Sequence, residues 1–206
     1  MITIYSTNTK GKYKYINWFS TLQKLFSNYI RKNLLNRITY EEIPTHTALY
    51  LFSIQPSESK EFIPKENYFL EAIDEGVEIS IQSNMENKIK WMFDWNDKSY
   101  DNEIAYKLTK KFLHRQYGYF QLLTFLKRKI FSVFKKGTKN IGVTFVGGII
   151  CTEAIYWAIH YKLEYIKPEL IKYLEQWNSN EVFAIEILEI LEYMESLGLG
   201  KLSKLY

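Results

Sequence analysis

The chain has 206 residues, 47% of them hydrophobic and 24% charged, enough to bury one sizeable core and ordinary for a globular domain. Its formal charge of +4 is modest and spread along the chain, with local basic runs only at Lys127-Arg-Lys129 and Lys135-Lys136, so a nucleic-acid partner is not expected. A lone cysteine rules out an internal disulfide and any multi-cysteine zinc site, and neither a metal nor an organic cofactor is called for.

In chain order, Ile2 to Tyr5 reads as a short strand, and the stretch from Ile16 to Leu35 carries apolar residues at helical spacing (Trp18, Phe19, Leu22, Leu25, Phe26, Tyr29). After Pro44, the segment Thr45-His-Thr-Ala-Leu-Tyr-Leu-Phe52 has the β-branched and aromatic content of a strand. Tyr68 to Ile73 and Gly76 to Gln82 read as a hairpin about Asp74-Glu75-Gly76, and Ile89 to Trp95 as a further strand. The chain then turns helical, from Asn102 to His114 and from Tyr119 to Phe134, ending near Gly137.

Val143-Thr-Phe-Val-Gly-Gly148 is a glycine-punctuated strand, followed by an apolar helix from Cys151 to Ile159. The window from Ile141 to Ile159 approaches membrane-spanning length, but Gly147-Gly148 and Glu153 favour strand, turn and buried helix; no transmembrane segment is expected. The first ten residues lack the features of a secretory signal, which points to a cytoplasmic or phage-virion location. Pro168 opens a helix over Glu169 to Trp177, and Glu181 to Leu197 forms a last one with Val182, Ile185, Leu188, Ile190, Leu191 and Met194 on a broad apolar face, stopped by Gly198. With no Gly/Ser/Pro-rich linker before this region, residues 1–206 are expected to form a single α+β domain. If the chain's own core leaves the last helix uncovered, that face is where a protein partner or second copy would dock.

Cys151 stands at a predicted helix N-terminus, where partial positive charge and unbonded N–H groups lower a thiol's pKa and can hold an oxyanion. Of the three histidines, His160 lies on the same helix roughly 13 Å away at 1.5 Å per residue, and His114 has basic neighbours suited to a solvated face. That leaves His46 as the histidine that can meet Cys151. Strand alternation sets His46 with Ala48, Tyr50 and Phe52, and Glu71 with Phe69 and Ile73 on a neighbouring strand; if those faces coincide, Glu71 can orient the imidazole. Ala154 and Ala158 would let the helix approach a sheet closely. By residue type alone, the same three side chains also fit an inert core thiol, a satisfied polar group and a water-facing carboxylate.

The ordered pieces Thr45-His-Thr-Ala-Leu-Tyr-Leu51, Phe69-Leu-Glu-Ala-Ile-Asp-Glu-Gly-Val77 and Ile150-Cys-Thr-Glu-Ala-Ile-Tyr-Trp157 resemble permuted papain-like cysteine peptidases of the NlpC superfamily, the YiiX-like group. Tyr117-Gly-Tyr119-Phe-Gln-Leu-Leu123 is similar to the aromatic segment before the cysteine helix in that group, while Thr152 stands where serine is common. The resemblance implies a circularly permuted papain-like fold, a small antiparallel sheet packed on helices, with extra N- and C-terminal helices. It also implies a thiol hydrolase or acyltransferase with Cys151 as nucleophile, His46 as base and Glu71 as orienting group. The implied substrates are cell-wall peptides, isopeptides or lipid acyl groups. The alternative is a catalytically silent papain-like fold serving as a structural or binding protein, for example in a phage virion, with its aromatic surface as a docking face.

Overall fold

The computed structural model describes residues 2–5, 46–51, 68–73, 76–81, 91–116, 151–177, 179 and 182–205. The helices expected over 16–35 and 119–134, the strand at 143–148, the basic runs and the aromatic segment at 117–123 lie outside them. What is described is α+β: strands β1 (Ile2–Tyr5), β2 (His46–Leu51), β3 (Tyr68–Ile73), β4 (Gly76–Ile81), β5 (Trp91–Trp95) and β6 (Gly200–Lys204), with helices α1 (Asp101–Phe112), α2 (Cys151–Ile166), α3 (Ile171–Leu174) and α4 (Ala184–Ser196). The strands form one antiparallel sheet in the order β4-β3-β2-β1-β5-β6.

Register explains the core. Ile2 pairs with Leu49 on one side and Phe93 on the other, Ile4 with Thr47 and Trp91, and Leu49 with Leu70. Directly paired residues share a face, so these side chains and Ala72, Val77 and Trp95 make one apolar surface that joins a single hydrophobic cluster with the helices. Every residue of β2 is buried, on both faces of the sheet, which accounts for its unbroken run of apolar and small polar residues.

Helix α2 lies on that apolar surface, with its strongest packing against β2. Ala154 and Ala158 are both buried, and their small side chains let the helix axis come close to the strand. The helix runs in the same direction as β2: Cys151 meets the start of the strand, while Ala158 and Lys162 border a cavity of about 40 Å3 alongside Leu49 and Leu51 near its end. It stops at Ile166, because Lys167 precedes Pro168 and a residue before proline is pushed into extended backbone. The helix expected over 169–177 is accordingly split into a 3-10 turn, Pro168–Leu170, and the short α3.

Helix α1 begins with Asp101 and Glu103 in its first turn and ends with Lys110 and Lys111, charges that complement its dipole. It docks on α2 through Ile104, Ala105, Leu108 and Phe112 and through an outer layer of rings and cations: Lys111 sits 3.5 Å from the Trp157 ring centroid, and Lys107 donates a hydrogen bond to Tyr165, whose hydroxyl donates to Glu103. Beneath that layer Lys162, with its side chain only 2% exposed, donates to the carbonyl of Ser99 at 2.6 Å and pairs with Asp101 Oδ1 at 2.5 Å. The helix ends at Phe112 rather than at the expected His114, which adopts a left-handed φ of 62° and donates its backbone N–H to Val77 O at 2.9 Å. Val77 in turn donates to Arg115 O at 2.8 Å, so the segment after α1 is tied to the sheet at β4.

Helix α4 buries Ile185, Leu188, Ile190, Leu191 and Met194 in the chain's own core, and Val182 just before it is buried there too. The apolar face raised as a docking surface for a partner or second copy is therefore covered from within. Gly198, at φ 72°, closes the helix with Leu199 N–H on Met194 O, and the chain returns as β6, a strand the sequence reading stopped short of. No helix among the described residues is long and apolar enough to cross a membrane.

Candidate functional site

The thiol of Cys151 lies at the first residue of α2 and is 5% exposed. Against it stand two consecutive residues at the start of β2, His46 at 7% exposure and Thr47 at 0%. Burial pushes the thiol's pKa up, and this is the largest single influence. It is outweighed by the positive charge of His46, by the His46 hydrogen bond to the sulfur and by the N–H and hydroxyl of Thr47, so the thiol sits below its ordinary value. The helix N-terminus acts in the same direction. The imidazole is thus placed to favour the ionised form of the sulfur.

The two halves of the pair reach each other from different sides of the sheet's alternation. Thr47, Leu49 and Leu51 are the residues of β2 that face α2, whereas His46, Ala48 and Tyr50 belong to the opposite face. His46 is the first residue of β2, at the end of the strand beside the start of α2.

Glu71 belongs with His46 on that opposite face. Tyr50 pairs with Phe69 and Leu49 with Leu70, and continuing this register sets Glu71 across from Ala48, diagonal to His46 on the neighbouring strand. Diagonal positions on neighbouring strands lie about 7–8 Å apart at the backbone. On its other side Glu71 pairs with Glu78, which is exposed.

The remaining histidines take no part. His114 is exposed after the end of α1, and His160 is stacked among Trp157, Tyr156 and Tyr161 with Nδ1 3.2 Å from Glu164 Oε1. Thr47 is the residue that sequence reasoning passed over. Its signal was available in the same alternation that was applied to His46: the odd-numbered positions of β2 carry leucines, so the threonine among them points with the leucines toward the helix. Thr152, next to the nucleophile position, is also buried, and its hydroxyl has no hydrogen-bond partner among the described residues.

No family model, curated protein or solved structure matches the chain.

Proposed function

We propose that the chain is a thiol hydrolase or acyltransferase with a permuted papain-like architecture, in which Cys151 is the nucleophile, His46 the base and Glu71 the group that orients the imidazole. The observation that carries this reading is the Cys151–His46 pair at the N-terminus of α2, with the thiol held below its ordinary pKa despite full burial. In the reaction, His46 takes the thiol proton and the thiolate attacks the substrate carbonyl carbon, forming a C–S bond and an oxyanion that the backbone N–H of Cys151 can stabilise. The imidazolium returns its proton to the leaving amine or alcohol as the bond to carbon breaks, which gives a thioester. Water deprotonated by His46, or another acceptor, then attacks the thioester and releases the thiol. Peptides of cell-wall type, isopeptides and lipid acyl groups are the substrate classes that fit this chemistry and the sequence resemblance.

The deciding experiment is the rate of Cys151 alkylation by iodoacetamide as a function of pH. An activated thiol gives a midpoint well below about 8.5, the value of a free cysteine. A midpoint at or above that value would remove the nucleophile. The second reading, a silent fold with a structural or binding role, is favoured by one observation, the 5% exposure of the thiol. An alkylation rate that stays slow at every pH until the chain unfolds would select it.

A further inference from the structure

We infer that Thr47 is a positioning residue for the proposed nucleophile, its hydroxyl being the donor that engages the Cys151 sulfur once the proton has left. This rests on the reading of Cys151 and His46 given above. Thr47 is fully buried, pairs with Ile4 in the sheet and faces α2 together with Leu49 and Leu51. Its Oγ1 is enclosed and has no hydrogen-bond partner of ordinary geometry among the described residues. A buried hydroxyl without a partner is costly, and valine would fill the same volume on the same strand without that cost.

The neighbouring sulfur supplies the return. A neutral thiol is a weak acceptor, whereas a thiolate is ionised, and hydrogen bonds to ionised acceptors are roughly twice as strong as neutral ones. The backbone N–H of Thr47 also acts to lower the thiol's pKa. One residue would therefore present two donors to the thiolate and fix its direction relative to His46.

Other charged groups on the elements around α2 face elsewhere. On α1, Asp101 pairs with Lys162, while Glu103, Lys107 and Lys111 meet Tyr165, Tyr161 and Trp157 farther along the helix. Glu175 acts on Tyr156, Glu186 accepts the Phe183 N–H at its own helix start, and Glu169 pairs with Lys167. Glu71 is present at its register position on β3, and Glu153 on the first turn of α2 itself.

The test is the pH profile of iodoacetamide alkylation for the wild type, Thr47→Val and Thr47→Ser, with the ultraviolet absorbance of the thiolate followed in parallel. Thr47→Val should raise the midpoint by about one pH unit, leaving about tenfold less thiolate at neutral pH. Thr47→Ser, which keeps the hydroxyl, should match the wild type. A depressed wild-type midpoint that Thr47→Val does not move overturns the role of Thr47 alone. A wild-type midpoint at the free-thiol value overturns both it and the proposed nucleophile. Thermal melting establishes that the valine variant is folded, and Thr47→Ala carries the same comparison if it is not.

Discussion

His46 is the first residue of β2 and Cys151 the first residue of α2, and because the helix runs along the strand in the same direction, the two starting residues meet. The helix then carries its small residues over the apolar positions of the strand. The same packing that buries Ala154 and Ala158 sets the sulfur against the imidazole.

Removing the base tests that relationship most directly. With His46→Gln, burial remains the largest influence on the thiol and its main opponent is gone, so the alkylation midpoint should rise to or past about 8.5. The alkylation rate at pH 7 should fall by on the order of tenfold or more. Turnover of any acyl substrate should fall by about 10²–10⁴, the range for loss of a positioned general base. A variant that keeps the wild-type alkylation profile would show that His46 does not set the thiol's ionisation.

Glu71 is proposed to act through His46, and its effect should appear on the imidazole. A hydrogen bond between carboxylate and imidazolium is worth about 1.5–3 kcal/mol, or about one to two pH units. Glu71→Gln should shift the titration of the His46 ring to lower pH by that amount. With three histidines in the chain, ring resonances can be assigned from single substitutions at His114 and His160. An unchanged titration removes Glu71 from the set.

The buried cation of α2 gives a stability test that is independent of the thiol. Lys162 is held by Asp101 and by the Ser99 carbonyl. Asp101→Ala leaves an ammonium enclosed with one fewer partner and should cost toward the lower end of about 3–5 kcal/mol, since Asp101 is one-third exposed and water screens part of the pair. Lys162→Met, which removes the charge and keeps the stem, should be close to neutral. Denaturant unfolding of the two variants checks this, and equal losses in both would contradict it.

Two glycines separate backbone strain from steric contact. Gly198 has a φ of 72° and open space where a side chain would stand, so Gly198→Ala should cost only the left-handed backbone penalty of about 1–2 kcal/mol. Gly76, at φ 131°, would direct a Cβ to 2.6 Å from the Arg115 carbonyl, where the segment after α1 is bonded to β4. Gly76→Ala should therefore destabilise more than Gly198→Ala, measured by thermal melting, and the reverse order would count against this account of the β4 junction.

Much of the local structure is legible in the residues themselves. The strands at 46–51, 68–73, 76–81 and 91–95 and the helix from Cys151 follow from alternation, β-branched content and helical periodicity, because each pattern records which side of an element is apolar. The ends were less legible. Tertiary hydrogen bonds with β4 stop α1 before His114, and β6 owes its existence to pairing with β5, since Gly-Lys-Leu-Ser-Lys has little strand character of its own.

By itself the sequence determined the α+β character, the thiol at a helix start and the strand that carries His46. Only the tertiary structure decided that β1 lies between β2 and β5 and that α2 lies along β2 in the same direction. The physical reason is that periodicity marks a face as apolar without naming what will cover it. Which residues meet across an interface depends on strand order and helix direction, and those are set by packing the whole core at once.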